Sequence, residues 1–457
     1  MKINRRTFGL LAGSSMTALK IGQANAQTTA DPTLLTTTLT PFGAERAGNA
    51  DGSIPAWTGG FTTLPEGWQP GQTMPDFFAD DQSTLTINAS NMTSYAGKLS
   101  EGTQAMMTKY GFSLKVYPTR RTHSLPQDVY DNIAKNIARA KLIDRANPQL
   151  GMVGGFGGIP FPIPDLSDPL AAGAQIILNH KAKWTGYAWQ VMLYGYVVSN
   201  GNLALAQKGP EYWDFPYYTR PDLATTEYRS LTVLTGPANL IGEELVVKYY
   251  MDSTQTESWE LLEGQGRVRK APEFTFDTPS GFAAGVANYD EYQAFGGQLI
   301  EYDWKYIEKK EMYIPYNNNA MYLLAPEEVL LTHFPDPNVV RWELHRVWVV
   351  EATLRPGARN VLARRRFYID EDTWIISASD AWDANGNLYH VGLVYNYLRP
   401  DAPGVIFGNS GVFNMQTGDY VMPQGPFNEK TSPSMKFPSS FPESTFDPEN
   451  MAANAQY

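Results

Sequence analysis

From residue 183 to about 400 the chain is a succession of segments in which hydrophobic and polar positions alternate. About eleven of them, at 184–199, 203–212, 227–234, 244–251, 259–262, 267–270, 299–314, 340–354, 361–369, 374–381 and 388–397, are rich in β-branched and aromatic residues and read as strands. Short joins such as Glu263-Gly264-Gln265-Gly266, Arg355-Pro356-Gly357, Asp370-Glu371-Asp372 and Asp383-Ala384-Asn385-Gly386-Asn387 mark hairpins, which makes the expected sheet antiparallel. Residues 341–351 show the period of two best. Trp342, Leu344, Arg346, Trp348 and Val350 fall on one face, and Arg341, Glu343, His345, Val347 and Val349 on the other. Neither face is purely polar. That predicts a sheet covered on both sides, or one that curls around something large and apolar.

Ahead of this region the pattern is different. Residues 27–170 are rich in Pro, Gly, Thr and Asn and read as an extended arm with one helix at 127–146, where Val129, Ile133, Ile137 and Leu142 trace an apolar stripe before Pro148. The run Gly154-Gly155-Phe156-Gly157-Gly158-Ile159-Pro160-Phe161-Pro162-Ile163-Pro164 can neither continue a helix nor sit in a central strand, so it must be a shaped loop. A second short helix is expected at 288–295. Residues 401–457 return to Gly, Pro, Asn and Ser and are expected to wrap the surface, leaving 171–400 as the β region.

The first 26 residues read as an export signal. Lys2, Arg5 and Arg6 form a basic start, Phe8 to Leu19 is mildly apolar, and Ala24-Asn25-Ala26 is a cleavage pattern. Asn4-Arg5-Arg6-Thr7-Phe8-Gly9-Leu10 resembles the twin-arginine signal, and Lys20 is a charge such signals often carry. Removing Lys2, Arg5, Arg6 and Lys20 leaves 32 basic against 47 acidic residues. That balance disfavours nucleic acid as a partner. The longest remaining apolar run, 188–198, is too short to span a bilayer. A soluble periplasmic protein, cleaved after Ala26, is the expectation.

Candidate chemistry is sparse. The chain has no cysteine, which excludes disulfides, thiolate catalysis, cysteine-held metal clusters and an N-terminal lipid anchor. It carries no Gly-x-Ser-x-Gly elbow, P-loop, dinucleotide fingerprint or His-Glu-x-x-His, so neither an enzyme nor a cofactor is expected. His180, His345 and His390 could meet as metal ligands, but their spacing carries no signal. Asp370, Glu371 and Asp372, and likewise Asp380 and Asp383, could be paired carboxylates of a hydrolase, for which hairpin turns are the plainer explanation.

Four segments carry a resemblance. Leu39-Thr40-Pro41-Phe42-Gly43-Ala44-Glu45-Arg46-Ala47-Gly48-Asn49-Ala50-Asp51-Gly52-Ser53-Ile54-Pro55-Ala56-Trp57-Thr58-Gly59-Gly60 resembles the N-terminal signature of the exported proteobacterial family called domain of unknown function 1329. Gly158-Ile159-Pro160-Phe161-Pro162-Ile163-Pro164, Gly266-Arg267-Val268-Arg269-Lys270-Ala271-Pro272, and Glu343 to Ala352 leading to Tyr368-Ile369-Asp370-Glu371-Asp372-Thr373-Trp374 match it in order. That family is similar to the lipoprotein-carrier superfamily (LolA, LolB). The resemblance implies a mainly β, α+β fold: a curved antiparallel half-barrel closed by helices around an apolar cavity. It also implies traffic of a lipid or other hydrophobic small molecule, in company with an inner-membrane resistance-nodulation-division type transporter and an outer-membrane protein. A non-enzymatic interaction or scaffold component of an envelope complex is the alternative, a periplasmic hydrolase a more remote one.

In a carrier, aromatic rings supply rigid apolar walls and arginine can hold a carboxylate or phosphate by two points. Trp184, Tyr187, Trp189, Trp259, Trp342, Trp348 and Trp374 are the candidates for the wall, Arg346 and Arg365 for the anchor. The signal sequence gives the first test: replacing Arg5 and Arg6 by lysine should hold precursor in the cytoplasm, and unchanged processing of that variant would defeat the twin-arginine reading.

Overall fold

The computed structural model describes residues 30–262, 267–271, 277–431 and 435–451. The export signal expected over 1–26 and the turn expected at 263–266 lie outside the described residues. In chain order the strands are β1 (Leu85–Ile87), β2 (Leu114–Val116), β3 (Lys141–Leu142), β4 (Met152–Val153), β5 (Ala188–Ser199) and β6 (Asn202–Asp214). Then follow β7 (Thr226–Val233), β8 (Glu244–Tyr250), β9 (Thr256–Leu261), β10 (Val268–Lys270), β11 (Tyr302–Pro315) and β12 (Arg341–Leu354). The last are β13 (Arg364–Asp370), β14 (Ile376–Trp382), β15 (Leu388–Leu398), β16 (Val405–Asn414) and β17 (Tyr420–Met422). The longer helices are α1 (Glu101–Tyr110), α2 (Gln127–Arg139) and α3 (Pro169–Lys181).

All these strands except β3 and β4 form one curved sheet of 15 strands, open rather than closed into a barrel. From β11 it runs through β12, β13, β14, β15, β16 and β17 to β5, β6, β7, β8, β9 and β10, each neighbour antiparallel. Only β2, beside the start of β12, pairs in parallel among the described strands. All eleven expected strands are present within a few residues of their expected ends, and the fold class is the one expected. The alternation at 341–350 holds, and both faces of that stretch are buried.

Several elements differ from expectation, among them α1 and α3, which form where no helix was expected. The helix expected at 127–146 stops at Arg139: Ala140 is extended (φ −72°, ψ 132°), and Leu142 pairs with Met152 in a small hairpin instead of continuing the stripe. The buried face of α2 docks on the glycine–proline loop rather than on the sheet, with Asn136 donating to the carbonyls of Gly158 and Ile159. No α-helix forms at 288–295; a single 3₁₀ turn, Tyr289–Glu291, is closed by Glu291 accepting from the backbone of Asn288. Lastly, β16 and β17 extend the sheet past residue 400. They join the β11–β15 half to the β5–β10 half, so the segment expected to wrap the surface is a seam of the core.

The helix that does pack on the sheet is α3. Asp168 caps it by accepting from the amides of Leu170 and Ala171, Pro169 opens it, and 11 of its 13 residues are buried. It crosses β11 at Gly173, where an added Cβ would lie 2.6 Å from the carbonyl oxygen of Trp304. Gly173→Ala gains about 1 kcal/mol of helix propensity. Against rigid backbone the clash exceeds that gain, so thermal melts should show a net loss of about 1–3 kcal/mol. A more stable variant would contradict this packing.

Candidate functional site

The anchor expected at Arg346 is committed to the protein itself. Its guanidinium reaches Glu371 Oε1 (3.2 Å), Glu45 Oε2 (3.3 Å) and the carbonyl of Ala47 (3.2 Å). Glu371 also holds Lys309 and the amide of Glu45, so the N-terminal segment is clamped against this end of β12. Trp348 stacks on Trp374 (5.8 Å, 10°), Lys309 lies 4.8 Å from its ring centre, and the Trp374 indole donates to the carbonyl of Phe42. Trp342 is buried against Phe112. The structure thus keeps Trp342, Arg346 and Trp348 on one face, and fills that face with the chain's own side chains.

The other candidates are scattered. Arg365 pairs with Asp290 (2.7 Å) and is wholly buried. The Trp184 indole donates to Ala402 O and its ring meets Tyr187 edge-on, while the Tyr187 hydroxyl donates to Asp128. Trp259 is half-buried between Lys248 and Lys270, on the face that packs Leu231, Val246 and Phe446. Trp189 belongs to a run of face-stacked rings that passes from strand to strand. It stacks on Trp213 (5.0 Å, 18°), Trp213 on Tyr228 (4.3 Å, 28°) and Tyr228 on Tyr249 (5.0 Å, 15°). These four residues sit on β5, β6, β7 and β8, consecutive in the sheet. A ladder of stacked rings therefore crosses four strands on one face.

Over this ladder lies a cavity of about 80 Å³. Trp213, Tyr228, Leu245, Val247 and Tyr249 form its sheet wall, and Tyr289, Tyr292, Phe295 and Gly296 its roof. The roof segment is tied down by buried charge: Asp290 to Arg365, Glu291 to His390 Nδ1 (2.8 Å), and Lys181 Nζ to Gly297 O (3.2 Å). Phe295 packs on Trp304 (4.9 Å) and Phe367 (5.7 Å). Gln293 and Ala294 both adopt left-handed backbone (φ 55° and 67°), a conformation that non-glycine residues seldom hold. The packing of Phe295 and the two buried ion pairs hold the turn there.

Charge inside the cavity is unevenly paired. Lys181 meets Glu227 at 2.6 Å, but Lys183, which lines the cavity, has no hydrogen bond or ion pair among the described residues. Burial pulls Lys183 down to about 7, with Glu227 opposing and Lys181 reinforcing. Burial pushes Glu211 up to about 7 against Trp213, Thr232 and Gln424. Its Oε1 accepts from Thr232 and Gln424, whereas Oε2 has no well-aligned partner. A larger groove of about 310 Å³ between α2 and residues 160–166 has neither stacked rings nor an unpaired buried charge among the described residues.

The histidines do not converge. His180 Nδ1 accepts from the amide of Ile376, His390 meets Glu291, and His345 lies between Glu343 (3.3 Å) and Asp370 (3.2 Å). Among the described residues no group of three or more His, Asp or Glu is arranged to hold a metal.

A family model described as "Protein of unknown function (DUF1329)" matches residues 86–452. The chain belongs to that family. The segment Phe42 to Ala47, clamped on Glu371, Arg346 and Trp374, precedes the matched residues. The chain is 31% identical to "Uncharacterized protein PA3922" of Pseudomonas aeruginosa, over 91% of this chain and 92% of that one. Among solved structures it is similar to a DUF1329 family protein from Desulfovibrio piger (14% identity, 62% of this chain and 99% of that chain, TM-score 0.44). It is also similar to a putative outer membrane lipoprotein-sorting protein domain from Vibrio parahaemolyticus (12% identity, 63% and 100%, TM-score 0.43). Neither likeness decides what this chain binds.

His345 offers a test of the clamped face. Burial opposes its charge, but the hydrogen bonds to Asp370 and Glu343 outweigh burial and lift it to about 10, from an ordinary 6.5. A folded value above the unfolded one gives stabilisation that is complete below pH 6.5 and lost as the pH rises towards 10. His345→Gln should lower stability at pH 6 by about 3–5 kcal/mol and remove that part of the decline between pH 6.5 and 10. Denaturant melts of both proteins across that range decide it; equal slopes would show that His345 is not charged in the fold.

Proposed function

We propose that this protein is a periplasmic carrier or accessory protein, working with an envelope transport system, that takes up a hydrophobic or amphiphilic small molecule in the cavity between the aromatic ladder and the 277–301 segment. The ladder carries this reading. Three of its rings, Trp213, Tyr228 and Tyr249, line the cavity as a rigid wall, and the roof above them is a loop held by side-chain contacts rather than by the sheet's hydrogen bonds. At about 80 Å³ the cavity admits roughly six water-sized groups, well short of a whole acyl chain. On this reading, loading a whole chain requires the roof to lift.

Energetics suit exchange. Each buried methylene contributes about 0.8 kcal/mol, so a chain of moderate length gains several kcal/mol, and the ordering of roof and ligand offsets part of that gain. Binding in this regime is reversible, as a shuttle needs. The transporter and outer-membrane partners implied by the family resemblance belong to the same proposal, as does delivery to the periplasm by the export signal. Among the described residues no helix is long and apolar enough to cross a membrane.

The neutral fluorophore N-phenyl-1-naphthylamine tests the reading. It should brighten on binding the wild-type protein, and Trp213→Ala or Tyr228→Ala should weaken that binding about tenfold in protein that remains folded by thermal melt. Trp348→Ala should instead lower stability by about 3–5 kcal/mol and leave the affinity of the folded fraction unchanged. No binding by wild-type protein would overturn the carrier and favour an interaction component without a ligand.

A further inference from the structure

The cavity is more than an apolar hole, because its polar groups are left incomplete in a defined way. Two lysines and two glutamates lie in or beside it: Lys181, Lys183, Glu211 and Glu227. Lys181 and Glu227 satisfy each other, and Lys181 further donates to the carbonyl of Gly297. That leaves Lys183, a buried ammonium facing the cavity without a partner, and Glu211 Oε2, a buried oxygen without a well-aligned one. An isolated buried charge is unfavourable and is normally paired. Two such groups converge on one cavity and are placed to meet a ligand's polar head.

We propose that the cavity binds an amphiphilic carboxylate head-first, its carboxylate on the Lys183 ammonium and its apolar body along Trp213, Tyr228 and Tyr249. The charge count selects a singly charged head such as a carboxylate over a doubly charged phosphate monoester. One unpaired ammonium balances one negative charge, while a second would meet the fields of Glu211 and Glu227. Glu211, lifted to about 7 by burial, is partly protonated near neutrality and then donates from Oε2 to the same carboxylate. Burial, reinforced by Lys181, depresses Lys183 to about 7, and an anion beside it favours the charged form. The small cavity holds the head and first carbons, and the remainder lies under the roof near Phe295.

This inference rests on the carrier reading, and the experiment separates the two. Decanoic acid and methyl decanoate, equal in chain and different in charge, are competed against N-phenyl-1-naphthylamine. Wild-type protein should bind the acid about tenfold or more tightly than the ester, as expected for a charge-assisted hydrogen bond. Lys183→Met should bring the acid down to the ester's affinity and leave the ester unchanged, and Lys183→Arg should keep the preference. Wild-type protein alone supplies a second measurement: decanoate labelled with ¹³C at the carboxyl should titrate at lower pH when bound than when free. Equal affinity of acid and ester, a preference that survives Lys183→Met, or a bound carboxyl that titrates higher than the free acid would each overturn the head-first site while leaving the carrier intact. Failure to bind the fluorophore and both decanoyl compounds would overturn both.

Discussion

The architecture hangs on one buried cluster of opposite charges. At the turn after β13, Asp372 takes two hydrogen bonds from Arg121 (2.9 and 2.6 Å), and Glu371 gathers Arg346, Lys309 and the backbone of Glu45. A second chain of contacts runs from Asp81 through Arg341, Glu343 and His345 to Asp370. Burial opposes the charge of Asp372, but Arg121, and His345 beyond it, bring it below the usual carboxylate range. Removing any one member would strand its partner in a medium where an unpaired charge costs several kcal/mol. The cluster consequently fixes three segments remote in sequence, around residues 45, 121 and 371, at one place on the sheet.

That placement decides where a ligand can go. The N-terminal segment covers the end of β12 that carries Trp342, Arg346 and Trp348, and the Trp374 indole is tied to Phe42 O. At the other end of the sheet the cover is a loop, held by Asp290, Glu291 and Phe295 against Arg365, His390 and the aromatic residues of β11 and β13. Arg365 thus holds the loop in place through Asp290. One end of the sheet is sealed by charge, and the other keeps a small cavity under the 277–301 loop.

The sheet was legible because each strand writes its own period of two, and the joins carry turn residues. What stayed hidden depends on contacts far apart in the chain. α3 is buried on all sides, so it shows no 3.6-residue stripe, although Asp168-Pro169 is a recognisable start. β16 contains Gly408, Asn409, Ser410 and Gly411, a loop-like composition, yet Gly408 is required where the Tyr322 hydroxyl and Tyr395 carbonyl close in. The period of two puts Trp342, Arg346 and Trp348 on one face of one strand but says nothing of what packs against that face. Glu371 and Asp290, which neutralise Arg346 and Arg365, lie 25 and 75 residues away. The ladder is invisible for the same reason: Trp189, Trp213, Tyr228 and Tyr249 meet only once the register of four strands is known.

The central claim is that ligand exchange happens by movement of the 277–301 segment over β5–β8, while the charge-clamped end stays shut. Hydrogen–deuterium exchange of the whole protein, with and without saturating N-phenyl-1-naphthylamine, tests it directly. The account predicts that the probe slows exchange in 277–301 and in 226–250 and leaves 341–374 unchanged. Protection that appears in 341–374 instead, or no change in the roof segment on loading, would contradict it.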